Sequence, residues 1–352
     1  MIFFVALFRF NAFIFIFGST ITNSELELWL LRYFGRKIIF IYVGSDARPP
    51  FIDGVWFPAS DFPGDFERVS RMARKFKMRI ALHEKYANYL VNSPSTAQYH
   101  ERPYINWFAM GVPKASSVRG VGLEEGPIFK RPVRILHSPS NPGVKGSQAI
   151  FSVLDNLRAR GYEFELIKLQ GVSNDVVLQE LNACDFVIDQ LYSDTPMAVF
   201  ATEAAHFSKP AVVGGYFAEH IHRVLPEDMI PPSLYVVPSD LEAAIERMIV
   251  DVDFRLELGR RAFDFVQSKW MSDKVAARYL KLLQDQAEEG WWSDPQDIDY
   301  VCGVGMPEGH AANLVDGLIA HAGVTSLQVA DKPRLEQAFV RLARSSVRAI
   351  HD

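Results

Sequence analysis

Residues 133–147 read Val133-Arg134-Ile135-Leu136-His137-Ser138-Pro139-Ser140-Asn141-Pro142-Gly143-Val144-Lys145-Gly146-Ser147. A short apolar run of strand length passes through a loop rich in Ser, Pro and Gly. It then enters a segment of helical periodicity, predicted over 146–159. The same order repeats downstream. Phe164-Glu165-Leu166-Ile167 precedes a helix at 174–183, and Phe186-Val187-Ile188-Asp189 precedes one at 198–207. Pro210-Ala211-Val212-Val213 and Leu234-Tyr235-Val236-Val237 are two further strands, followed by helices at 239–250 and 252–268. Parallel strands need a crossover connection, and a helix is the usual one, so repeated strand–helix units predict a parallel, doubly wound sheet.

The first half carries a looser version of the pattern. A strand is predicted at 13–17, buried on both faces because Phe13 to Phe17 is continuously apolar. A helix follows at 24–34, with Leu26, Leu30, Leu31 and Phe34 at helical spacing and Gly35 as its stop. Lys37 to Val43 reads as a central strand, with Gly44-Ser45-Asp46 as the loop at its carboxyl end. Residues 47–64 read as irregular, 65–85 as a helix rich in Arg and Lys, and Tyr89-Leu90-Val91 as a strand. Ser93-Pro94 reads as a helix start and Tyr104 to Met110 as a strand. The division predicted is 1–115, a linker at 116–131, 132–285, and a C-terminal helical extension at 286–352 marked by Trp291-Trp292 and Asp294-Pro295.

The length of 352 residues suits about two domains. With 49% hydrophobic and 22% charged residues, each can hold a core. The net charge of −5 argues against a nucleic-acid binder. Cys184 and Cys302 are too few for a disulfide framework or a cysteine zinc site, which points to a reducing, cytoplasmic compartment. No carboxylate cluster suggests a metal, and none is expected; His220 and His222 lack a third ligand nearby. The apolar start over 1–17 is interrupted by Arg9 and Asn11 and is shorter than the roughly 20 residues of a spanning helix. The basic residues Arg68, Arg71, Arg74, Lys75, Lys77 and Arg79 read as a solvated helix face, with a membrane-surface role as the alternative.

Two segments could carry chemistry. In the loop 138–147, Lys145 would place a point charge beside the first amides of a helix, an arrangement that suits phosphate; a surface lysine in an ordinary loop is the alternative. In the segment 189–205, Glu203 is a carboxylate among small and apolar residues, able to accept two hydroxyl hydrogen bonds or simply to face solvent. The amides of Met197, Ala198 and Val199 at the helix start could meet a sugar or a phosphate. His137, at the end of its strand, is a candidate ligand contact.

These residues carry a resemblance. The stretch 132–285 resembles the nucleotide-sugar domain of GT-B glycosyltransferases, specifically the retaining family 4 group. The resemblance runs through His137 to Asn141, Lys145-Gly146, Leu169-Gln170-Gly171-Val172, and Ala183-Cys184-Asp185. Its most specific stretch is Phe200-Ala201-Thr202-Glu203-Ala204-Ala205-His206-Phe207-Ser208-Lys209-Pro210-Ala211-Val212-Val213. It implies two Rossmann-like domains facing a cleft and hexosyl transfer from a nucleotide-diphosphate sugar with retention. The acceptor implied is a glycan or lipid-linked molecule of polysaccharide or glycoconjugate assembly, at the inner face of a membrane. In these terms Lys145 and Gly146 would bind the diphosphate, Glu203 the ribose, Gly171 and Val172 the base, and Met197, Ala198 and Val199 the sugar or its phosphates. Gly44, Ser45 and Asp46 resemble an acceptor-side loop.

Three departures matter. The family's earlier glutamate falls at Thr195, which has no charge to offer a sugar hydroxyl. Pro142 follows Asn141 where many members carry an arginine. The first half lacks the opening strand and Gly-rich loop of the family, which predicts a shortened domain. Thr195 keeps a second reading open, a catalytically inactive homologue acting as a binding or scaffold subunit.

Overall fold

The structure is a computed structural model and describes residues 2–60, 64–112 and 131–348. The chain divides into two units, Met1–Met110 with Ala277–Asp352, and Gly111–Ala276. Apart from Arg131, the segment expected as a linker over 116–131 lies outside the described residues.

The first unit opens with helix α1 (Ile2–Arg9), within the apolar start over 1–17. Strand β1 (Ala12–Ile16) follows and pairs with β2 (Lys37–Ile41) in parallel. It is an edge strand, and one of its faces meets the core. Phe13 and Phe15 are buried, whereas Ile14 is 42% exposed and Ile16 57%. This corrects the expectation of burial on both faces: a continuous apolar run cannot reveal that one face is left uncovered. Between β1 and β2, α2 (Glu25–Tyr33) is capped by Ser24 and buries Leu28 and Leu31, while Leu26 is exposed. Gly35 ends it with φ +66°, and the Arg36 amide reaches back to the Leu31 carbonyl at 2.8 Å, the hydrogen bond of a Schellman turn.

Helix α3 (Phe66–Tyr86) leads to β3 (Tyr89–Asn92), and β4 (Tyr104–Asn106) runs into the single turn α4 (Trp107–Met110). No helix follows Ser93-Pro94. Instead the Asn92 side chain accepts from the Ser93 amide (2.8 Å) and the Thr96 hydroxyl (2.6 Å), folding residues 93–96 into a turn. The basic face of α3 is only partly solvated. The Lys77 ammonium donates to the Tyr99 carbonyl at 3.1 Å and pairs with Glu101 and Asp331, and the Arg79 guanidinium donates to the Asp46 carbonyl.

The second unit is the cleaner of the two. It comprises β5 (Val133–His137), α5 (Ser147–Ala159), β6 (Phe164–Lys168), α6 (Asn174–Ala183), β7 (Phe186–Ile188), α7 (Val199–His206) and β8 (Ala211–Gly214). A short α8 (Ile221–Val224), β9 (Leu234–Val236), α9 (Leu241–Val250) and α10 (Val252–Lys269) complete it. All five strands are parallel, in the order β6-β5-β7-β8-β9. The order reverses beside β5, so the loops after β5 and β7 flank a topological switch point, where open α/β sheets bind ligands. Ile150, Leu154 and Leu157 of α5 and Ile245 and Met248 of α9 pack on Ile135, Ile188 and Val212. Helix α7 ends at Ser208 with φ +55°, and the Lys209 amide donates to the Ala204 carbonyl at 3.0 Å. A residue that carries a Cβ thus occupies a left-handed stop that favours glycine.

Helix α11 (Ser272–Leu283) straddles the division between the units. The segment expected as a C-terminal extension then completes the first unit. Strand β10 (Trp292–Ser293) pairs antiparallel with β4, giving the order β1-β2-β3-β4-β10. Helix α12 (Glu308–Ala322) packs on α3, with Leu314, Val315 and Leu318 in one core with Phe40, Val69 and Ile80. Gly317 permits that approach: a Cβ there would lie 2.1 Å from Phe66 Cζ. Helix α13 (Pro333–Arg348) adds Leu335, Phe339 and Leu342 to the same core. Both units are Rossmann-like, the α/β class expected from the sequence.

Candidate functional site

The site begins at the carboxyl end of β5. His137 is fully buried. Its Nδ1 lies 2.7 Å from the Ile188 carbonyl, which can only accept, so Nδ1 donates. Nε2 then accepts from the Ser147 hydroxyl at 2.8 Å. Burial holds this imidazole below its ordinary pKa, in keeping with a neutral ring. His137 therefore ties β5, β7 and the start of α5 together. The structure places it in the interior rather than among ligand-facing groups: its position at a strand end fixed its depth, but the pairing partners came from β7 and α5.

The loop after β5 is held by its own backbone. Asn141 Oδ1 accepts from the Gly143 amide (3.1 Å), and the Lys145 and Ser147 amides donate to the Asn141 and Pro142 carbonyls (2.9 and 3.0 Å). Gly146 caps α5 with φ +68°, and a Cβ there would lie 2.8 Å from Leu191 Cβ. Only glycine suits both demands. The Leu191 amide donates to the Lys145 carbonyl at 3.0 Å, so the loops after β5 and β7 are locked together. With the Ser147 amide already used, those of Gln148 and Ala149 are the remaining first-turn donors of α5.

Lys145 Nζ sits 3.2 Å from Asp189 Oδ1. The lysine side chain is 19% exposed and the aspartate 1%, so the ammonium is the reachable member of the pair. Asp189 was not singled out from the sequence. The signal was present, a carboxylate ending the all-apolar strand Phe186-Val187-Ile188, but its partner lies 44 positions earlier.

The loop after β7 leads to the start of α7, where Ala198 makes no side-chain cap. The amides of Val199, Phe200 and Ala201 are the first-turn donors there. Met197 is buried, Ala198 half-buried and Val199 exposed. Thr195 Oγ1 accepts from the Met197 amide at 3.4 Å, and the Thr195 carbonyl accepts from the Ser193 hydroxyl at 2.7 Å. Thr195 thus shapes its loop. Glu203 is half-buried on α7, where burial pushes its carboxyl up and a hydrogen bond with Asn174, at the start of α6, pulls it down. Gly171, with φ +67°, and Val172 are exposed in the loop after β6. Lys145, Gly146, Gly171, Val172, Met197, Ala198 and Val199 therefore lie on loops and helix starts at the carboxyl edge of one sheet, with Glu203 one turn into α7.

In the first unit, Gly44 adopts φ +125° and its carbonyl accepts from the Ala47 and Arg48 amides (2.9 Å each). Asp46 is buried, and its Oδ1 accepts from the Val43 amide at 2.9 Å. Burial pushes its carboxyl up. Ser45 is half-buried, so of the three residues proposed for the acceptor side it alone presents its side chain in part to solvent. Among the described residues, no group of three or more His, Cys, Asp or Glu side chains could hold a metal ion, and no helix is long and apolar enough to cross a membrane. His222 pairs with Glu227 at 3.1 Å.

No protein-family model and no curated protein matches the chain. Among solved structures, it is similar to HepE of Anabaena, crystallised with UDP-glucose, at 12% identity and a TM-score of 0.47, covering 81% of each chain. HepE with UDP aligns at 11% identity and a TM-score of 0.48, again over 81% of each chain. A variant of S. aureus TarM, crystallised with fondaparinux, alpha-GlcNAc-glycerol and UDP, aligns at 10% identity and a TM-score of 0.44, over 70% of this chain and 51% of that one.

Proposed function

We propose that the chain is a glycosyltransferase that transfers a hexosyl group from a nucleotide-diphosphate sugar with retention. The observation that carries this reading is the Lys145 ammonium, held on Asp189 at the switch point of a parallel sheet, where α5 and α7 begin. A cation and two helix starts at one strand edge suit a diphosphate, and both stabilise charge that grows as the glycosidic bond to the diphosphate breaks. In this reading the Gly146 backbone lies beside the diphosphate. Glu203 accepts from the ribose hydroxyls, Gly171 and Val172 flank the base, and the backbone of Met197, Ala198 and Val199 meets the sugar or its phosphates. No metal takes part. The acceptor is a glycan or a lipid-linked molecule of polysaccharide assembly, reached from the cytoplasm at the inner membrane face, with the Gly44-Ser45-Asp46 loop on the acceptor side.

Thermal unfolding with UDP-, GDP- and ADP-sugars tests the donor site, because a ligand bound only to the folded state raises the melting temperature. One nucleotide class should stabilise the wild type and lose its effect in Lys145→Ala and Glu203→Ala. Unchanged stabilisation in both variants would remove the site assignment. Thr195 supports a second reading, a donor-binding subunit without transfer, since a threonine cannot replace a carboxylate toward sugar hydroxyls. Donor binding with neither hydrolysis nor transfer would select it.

A further inference from the structure

We infer that Asp189 is a counter-ion that competes with the diphosphate for Lys145 and takes the ammonium back as the nucleotide product leaves. The inference rests on the donor-site reading above. One Asp189 oxygen lies 3.2 Å from Lys145 Nζ, and the other, also buried, meets no protein donor among the described residues. The nearby His137 lends no second positive charge: burial lowers its pKa, and Nε2 is occupied by the Ser147 hydroxyl. Lys168 Nζ is over the Phe151 ring, 3.8 Å from its centroid.

A carboxylate this deeply buried is costly to leave unpaired. Any anion that draws Nζ toward the helix starts must offset that cost, so its affinity is lower than the cation and amides alone would give. The effect is largest for the most highly charged ligand, the departing nucleoside diphosphate. A site that stabilises the leaving diphosphate through Lys145 would otherwise retain its product. Asp189 offers the ammonium a partner that is always present.

The test uses the full chain with inorganic diphosphate and with nucleoside diphosphates as ligands. Asp189→Asn keeps the side-chain shape and an oxygen acceptor for Nζ but removes the charge. Both ligands should bind about tenfold more tightly, equivalent to about 1.4 kcal/mol, with a correspondingly slower dissociation rate. In a Lys145→Ala background the same substitution should change affinity by less than about threefold, because Asp189 acts through the lysine. Asp189→Ser serves the same comparison if the asparagine variant unfolds. An equal gain in both backgrounds would reduce Asp189 to simple charge repulsion, and a weaker affinity in Asp189→Asn would make it a support for the site; either overturns the inference. Nucleoside diphosphate binding without the gain leaves the donor site standing and removes the counter-ion. The gain with inorganic diphosphate alone, and no nucleotide binding, does the reverse.

Discussion

Replacing Gly146 by alanine tests how the two loops of the switch point are held. Two costs add. The residue must keep φ +68°, a left-handed conformation that costs a residue with a Cβ about 1–2 kcal/mol. The new methyl would also lie 2.8 Å from Leu191 Cβ, and relieving a backbone-anchored overlap costs about 1–3 kcal/mol. The sum, about 2–5 kcal/mol, is a large part of the stability of an ordinary domain. Because the Leu191 amide donates to the Lys145 carbonyl, pushing Leu191 away also shifts Lys145 from Asp189, and donor affinity should fall. Urea unfolding in a double-mutant cycle with Leu191→Gly, which removes the Cβ that the new methyl would meet, separates the two costs. In that background the methyl has room, and Gly146→Ala should cost only the conformational part, about 1–2 kcal/mol. An equal cost in both backgrounds would refute the steric argument. A cost below about 1 kcal/mol in the wild type would refute the backbone argument as well.

Four further outcomes are expected. His137→Leu leaves the Ser147 hydroxyl and the Ile188 carbonyl without their buried partner, and should destabilise the second unit by about 2–4 kcal/mol in urea unfolding. Ser208→Gly relieves the left-handed stop of α7 and should raise stability by about 0.5–1 kcal/mol, read as a shifted urea midpoint at constant slope. Gly317→Ala drives a methyl toward Phe66 and should destabilise the first unit by about 1–3 kcal/mol, with protection from hydrogen exchange falling on α3 and α12 together. His83, stacked on Phe40 and hydrogen-bonded to Tyr42, is held by burial down to about 3 against an ordinary 6.5. The unfolded chain therefore binds a proton there that the folded chain does not, and stability is lost as pH falls from 6.5 toward about 3. From pH 7 to pH 5 the wild type should lose about 2 kcal/mol more than His83→Gln, measured by urea unfolding at both values.

Local signals dictated most of the elements. Gly35 at a left-handed stop, the apolar run of β2, and the alternating units from Val133 onward could each be read from neighbours a few positions apart, because caps, periods and turns are short-range. Lys145 and Gly146 were legible for the same reason: a glycine before a helix and a lysine beside it form a local pattern. Four features depended on long-range packing and were not legible. The exposure of Ile14 and Ile16 follows from one face of β1 being left uncovered, and what packs on a strand is not written in its own residues. The segment after Trp291 joins the first unit because α12 and β10 find α3 and β4, roughly two hundred positions away. His137 turns inward because Ile188 and Ser147 meet both ring nitrogens. Asp189 gains its meaning only when the sheet sets β7 beside β5 and brings its carboxylate to Lys145. The sequence by itself determined which residues can carry charge at a strand end. The tertiary structure decided which of those charges face one another, because burial and pairing depend on what packs alongside.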